Sequence, residues 1–136
     1  MLRDVYIVFS AHYDHVGKNV VNGDIYNGAD DDGSGTCAVL EEATAFASMK
    51  QRPKRSLVFL TVAGEEKGLL GSLYYAEHPI IPLEKTIANL NTDMIGRSDP
   101  EHEKMNDSNY VYIIGADKLS TELDSISRRA NDESVK

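Results

Sequence analysis

Long apolar runs are missing from this sequence. Nowhere do about 18 apolar residues stand together, which excludes a membrane-spanning helix. No charged segment followed by an apolar one opens the chain, so no secretory leader is read at its start. Cysteine is limited to Cys37, which rules out an internal disulfide and leaves the redox compartment open. Basic residues are outnumbered, 14 against 22 acidic ones, and the resulting formal charge of -8 disfavours nucleic acid as a partner. Internal repeats and low-complexity tracts are absent as well.

What is present suffices for one core: 41% of the 136 residues are hydrophobic. The apolar, β-branched run Val5 to Phe9 predicts a strand over Asp4 to Ser10, covered on both faces. A loop from Gly23 to Gly35, rich in Gly, Asn and Asp, precedes Val39, Leu40, Ala43, Phe46 and Ala47 at helical spacing, which predicts a helix over roughly 34–50. Cys37 lies inside that pattern and reads as a small buried hydrophobe. A second strand is expected over Ser56 to Ala63 and a helix over Leu69 to Glu77, stopped by Pro79 and Pro82. Ile87 to Leu90 reads as a third strand, Asp99 to Asn109 as an exposed loop and Tyr110 to Ile114 as a fourth strand. Leu119, Leu123, Ile126 and Ala130 then mark an amphipathic helix. Alternation of this kind argues for an α/β layered fold in which parallel strands share one carboxyl edge, where ligand groups collect.

Polar residues gather just past the strand ends: His12 and Asp14 after the first, Glu65 and Glu66 after the second, Asp93 after the third. Asp31, in the glycine-rich loop, reaches the same edge from the side. Singly each has an ordinary explanation. His12 suits a hydrogen-bonded strand-end histidine, Asp30 to Asp32 a helix N-cap, Glu65 and Glu66 a solvated helix start, and Asp93 a turn. Together they form one imidazole and several carboxylates at one sheet edge, a donor set suited to zinc and, less selectively, to other divalent ions.

Four segments carry a resemblance: Ala11-His12-Tyr13-Asp14, Gly28 to Gly35, Gly64 to Ser72, and Asn91 to Gly96. In that order they resemble metallopeptidase family 28, the co-catalytic two-zinc aminopeptidases. The resemblance implies a three-layer α/β fold of the zinc exopeptidase type, with a mostly parallel mixed sheet flanked by helices. It makes His12 and Asp93 ligands of one zinc, Glu66 a ligand of the second, and Asp31 the bridge between two ions. Asp14 would orient the His12 imidazole, and a cis peptide would join Asp31 to Asp32. Glu65 would be the general base and acid: two cations about 3.5–4 Å apart need a shared carboxylate, and they acidify a water whose proton Glu65 takes and returns to the leaving amine.

The implied activity is release of one residue from peptides with a free N-terminus. The same resemblance favours a secreted or periplasmic setting. The family's second zinc takes one more histidine from further along the chain. Neither His78, beside Pro79, nor His102, in a charged loop, fits that place, and His15 reads as lining the rim. Residues 1–136 are therefore expected to be part of a catalytic domain whose flanking portions lie elsewhere. Alone the chain is expected to be poorly active and to self-associate through open sheet edges. Three other readings stay open: a glutaminyl cyclase-like zinc acyltransferase, a non-catalytic binding domain of the same fold, and a carboxypeptidase or deacylase of a related zinc fold.

Overall fold

A computed structural model describes residues 2–134. The chain divides into two compact units, Met1–Asp99 and Pro100–Lys136. In the first, β1 (Leu2–His12), β2 (Arg55–Val62) and β3 (Thr86–Asn91) form one parallel sheet in the order β2-β1-β3. Helix α1 (Gly33–Ser48) links β1 to β2, and α2 (Leu70–Glu77) lies between β2 and β3. The α/β class with a parallel sheet is thus what the sequence indicates.

Central position explains why β1 is the most buried strand. Its last five residues, Val8 to His12, are all buried, as a strand flanked on both sides and covered on its faces must be. Phe9 pairs in register with Phe59 of β2 and Leu90 of β3. The rings of Phe9 and Phe59 stack at 5.3 Å, and Phe46 of α1 meets them at 5.5 and 6.1 Å. Val39, also from α1, completes a core with Val8, Phe9 and Ala11. Aromatic packing of this kind contributes about 0.5–1.5 kcal/mol per pair beyond area burial.

Parallel pairing has the consequence that matters for the site. All three strands point the same way, so residues just beyond each arrive at one edge. The ladder continues past the strand ends: the Tyr13 N–H donates to Val62 O at 3.0 Å and the Thr92 N–H to Ser10 O at 2.8 Å. Those bonds hold the Asp14 and Asp93 turns against the sheet.

The second unit holds α3 (Pro100–Met105), α4 (Ala116–Leu119) and α5 (Thr121–Ser134). Two expectations are corrected here. Pro100–Met105 forms a short helix rather than a loop, with proline in the first-turn position it favours. Tyr110 to Ile114 is not a strand: β propensity depends on context, and a β-prone composition does not by itself make one. Tyr110 and Tyr112 instead pack with His102, whose ring stacks 3.5 Å from that of Tyr110. The amphipathic helix comes in two pieces because the Ser120 hydroxyl accepts the Leu123 N–H at 3.1 Å and caps α5 afresh. In the first unit, Cys37 is exposed, not buried, since it occupies the solvent side of α1.

Candidate metal centre

His12 is a buried group at this edge. It is 3% exposed, and its Nδ1 lies 3.0 Å from the carbonyl oxygen of Asp14 and 3.5 Å from the Asp14 carboxylate. Committing Nδ1 to a carbonyl acceptor leaves Nε2 as the nitrogen with a free lone pair. That Nε2 faces Asp31 Oδ1 at 3.1 Å and Asp93 Oδ1 at 3.9 Å.

The three consecutive aspartates do three different things. Asp30 Oδ1 accepts the Gly96 N–H at 2.8 Å, tying the glycine-rich loop to the turn after β3. Asp32 is 1% exposed and acts as a structural junction. It accepts the Gly35 N–H at 2.9 Å as the N-cap of α1, the His12 N–H at 3.1 Å and the Met94 N–H at 3.3 Å. The peptide joining Asp31 to Asp32 is cis. Asp31 turns into the site, with Oδ1 toward His12 and Oδ2 3.9 Å from His15 Nδ1. Asp32 also comes within ligand range of His12 and Asp93. Its oxygens are already committed to three backbone donors, however, which leaves Asp31 the available carboxylate.

Met94 follows Asp93 with φ of 53°, in the left-handed region that costs a side-chain-bearing residue about 1–2 kcal/mol. The Met94 N–H bond to Asp32 holds that conformation and with it the direction of Asp93.

Glu65 and Glu66 begin a short tight turn directly after β2. The Glu65 N–H donates to Asp14 Oδ1 at 3.2 Å, so Asp14 braces both the His12 ring and the turn carrying Glu65. Glu66 Oε1 lies 2.7 Å from His15 Nδ1. His15, which the sequence alone places at the rim, thus points into a second cluster with Asp31 and Glu66. The signal that betrays it is Gly28: a Cβ there would sit 2.8 Å from the His15 Cβ, so the missing side chain makes room for the imidazole.

Electrostatics follow from crowding. Burial works hardest against a charge on His12, yet Asp32, Asp93, the Asp14 carbonyl and Glu65 outweigh it and raise its pKa. Burial also raises that of Asp93, helped by Asp32, Asp31 and Glu65 against the pull of His12. Asp14 goes the other way. Backbone N–H groups of Glu65, Asp14 and Gly64, with His12, overcome the cost of burial and lower its pKa.

A carboxylate whose pKa is raised by burial and by its acidic neighbours, as that of Asp93 is, is short of positive charge. Three buried atoms, His12 Nε2, His15 Nδ1 and Glu66 Oε1, lack an aligned hydrogen-bond partner although donors and acceptors lie close by. Buried polar atoms are seldom left so, and a cation in each cluster would satisfy them. Nitrogen and carboxylate donors of this kind fit zinc. Of the residues expected from sequence, the structure brings Asp31 and Asp93 each within 4 Å of His12 Nε2, and it groups Asp31 with Glu66 and His15. Glu65 and Asp14 stand beside His12. His78 stacks on Tyr74 at 4.5 Å and is exposed, and His102 belongs to the second unit.

Comparison with known proteins agrees in kind. The chain is 40% identical over 100 residues to a probable zinc metalloprotease of Pyrenophora tritici-repentis, covering 72% of this chain and 22% of that protein. It is 36% identical over 84 residues to a vacuolar membrane protease of Verticillium alfalfae, 62% of this chain and 8% of the relative. To aminopeptidase YwaD of Bacillus subtilis it is 33% identical over 129 residues, 84% of this chain and 26% of the relative. The chain therefore spans about a fifth of the length of several curated relatives it matches. No solved structure matches it significantly. The model of peptidase family M28 matches residues 2–133, nearly the whole length, and the chain belongs to that family.

Proposed function

We propose that this chain carries the site of a two-zinc exopeptidase, an aminopeptidase acting on peptides with a free N-terminus. The observation that carries the reading is Asp31, which presents one carboxylate oxygen to His12 and the other to the His15 and Glu66 side. A carboxylate so placed is what two neighbouring cations require. His12, Asp31 and Asp93 would hold one zinc, and Asp31 with Glu66 the other. When bound, zinc in such a site supplies Lewis acidity, acidifying a water and polarising the scissile carbonyl.

The chain's own residues do the rest. Glu65 takes the proton of the attacking water and delivers it to the leaving amine nitrogen. Its charge is felt at both His12 and Asp93, which supports a carboxylate near the reacting atoms. Asp14 keeps His12 in the Nδ1–H tautomer and holds the Glu65 turn. The surrounding carboxylates favour a substrate ammonium group.

The test is hydrolysis of an aminoacyl chromogenic amide, beside its N-acetylated form, with added zinc and the protein extended by its flanking portions. Cleavage of the free amine only is expected, and Glu65→Gln should lower kcat by about 100-fold or more with bound zinc unchanged. Equal cleavage by Glu65→Gln, or of the acetylated amide, would overturn the reading. Cyclisation of a glutaminyl peptide without release of amino acids would instead favour the acyltransferase.

A further inference from the structure

Asp93 stands on the turn after β3, whereas Asp31 comes from the glycine-rich loop, and a cation shared by the two needs their carboxylates held at a set spacing. Three consecutive N–H groups of that turn face the loop. Met94 donates to Asp32 Oδ1 at 3.3 Å, Ile95 to Ser34 Oγ at 3.1 Å and Gly96 to Asp30 Oδ1 at 2.8 Å. We infer that Asp30 and Ser34 are positioning residues of the candidate metal centre, a clasp that sets where Asp93 stands relative to Asp31. The inference rests on the two-zinc reading and deepens it.

The clasp is also closed on the loop side. The Ser34 hydroxyl donates its proton to the Asp30 carbonyl at 2.7 Å, which leaves its lone pairs for the Ile95 N–H. A serine bonding back to a nearby carbonyl is an ordinary local motif. That motif does not account for the two amides of the turn, which lie 61 and 66 residues further along the chain from the oxygens they reach. The approach is close as well: a Cβ at Gly96 would stand 3.0 Å from both Asp30 Oδ1 and Ser34 Cβ. Gly96 has a φ that any residue adopts, so the close approach is what calls for glycine there.

Asp30 belongs to neither group of candidate donors found among the described residues. Its carboxylate is turned to Gly96, so it acts on the metal through the Asp93 turn and not as a ligand. An acceptor oxygen at this position is what the geometry requires. A negative charge is not.

The experiment measures zinc affinity by competition with a chromogenic chelator, in the protein extended by its flanking portions. Asp30→Ala and Ser34→Ala should each weaken zinc binding by about 10-fold or more, as happens when the partners behind a ligand are removed. Asp30→Asn keeps the acceptor and should bind zinc nearly as tightly as the parent. Gly96→Ala deletes no hydrogen-bonding group, yet it should weaken zinc by pressing the turn off the loop. Thermal melts without metal run beside each titration. Should either alanine variant at the clasp fail to fold, the contrast between Asp30→Asn and Gly96→Ala decides. Variants that melt earlier but bind zinc as the parent does would reveal a purely structural role, overturning the inference and leaving the two-zinc reading in place. Asp30→Asn as weak as Asp30→Ala would overturn it too, because charge would then be what matters. No zinc uptake by the unaltered protein overturns both.

Discussion

The buried carboxylate of Asp32 receives the backbone N–H of His12 at 3.1 Å, fastening the end of the central strand to the start of the first helix. The same carboxylate caps α1 at Gly35 and holds Met94, so one side chain joins three segments that carry candidate ligands. Asp32→Ala would leave three N–H donors without a partner and remove a helix cap. A loss of about 3 kcal/mol in urea unfolding is expected. Asp32→Asn should recover only part of it, since an amide has one acceptor where the carboxylate has two. A loss under about 1 kcal/mol for Asp32→Ala would contradict the junction.

Gly35 is fixed by contact rather than by backbone freedom. A Cβ there would overlap the Asp32 carboxylate and the Thr92 carbonyl oxygen, neither of which is a flexible chain end. Gly35→Ala is therefore expected to destabilise by about 1–3 kcal/mol despite the better helix propensity of alanine. Because Thr92 precedes Asp93, zinc affinity should fall as well. An alanine variant as stable as the parent would refute the close approach.

Zinc should stabilise the chain more at high pH than at low. With no metal bound, the pKa of His12 is raised. Its contribution to stability is thus fully present below 6.5, its ordinary value, and is lost as pH rises through the higher folded value. Asp93, also raised, becomes a burden as it ionises above its ordinary 3.8. Zinc replaces the lost positive charge and competes with the proton for His12. At 100 times its dissociation constant, it should add about 2.7 kcal/mol. Thermal melts with and without zinc at about pH 6 and about pH 8 measure this. A zinc-induced rise in Tm as large at the lower pH would sink the prediction.

Cys37 should react with a thiol reagent in the folded state, one equivalent per chain. Its exposure on α1 is the reason. Slow labelling that accelerates only in denaturant would show that the residue is covered.

Much of the site is legible in the order of residues alone. His12, Glu65, Glu66 and Asp93 each come just after an apolar run read as a strand, and parallel strands bring the residues beyond their carboxyl ends to one edge. Two things are not legible there. Tyr110 to Ile114 has the composition of a strand, but composition does not say whether a neighbour exists. The helical spacing around Cys37 predicts a helix correctly, yet Cys37 falls on the side that nothing covers. Periodicity finds an amphipathic face without saying how far the covering elements extend.

The order of residues sets the succession of strands and helices, the position of each candidate donor just beyond a strand, and the family. Which neighbouring carboxylate does what is set by the folded arrangement. Asp30, Asp31 and Asp32 are chemically identical, and Glu65 and Glu66 nearly so. Their roles differ because the backbone turns each side chain toward different partners. It takes Asp32 to three amides, Asp31 to two imidazoles, and Glu66 to His15. Directions of that kind depend on contacts between residues far apart in the chain, such as Asp32 with Met94 and His15 with Gly28, and no local pattern encodes them.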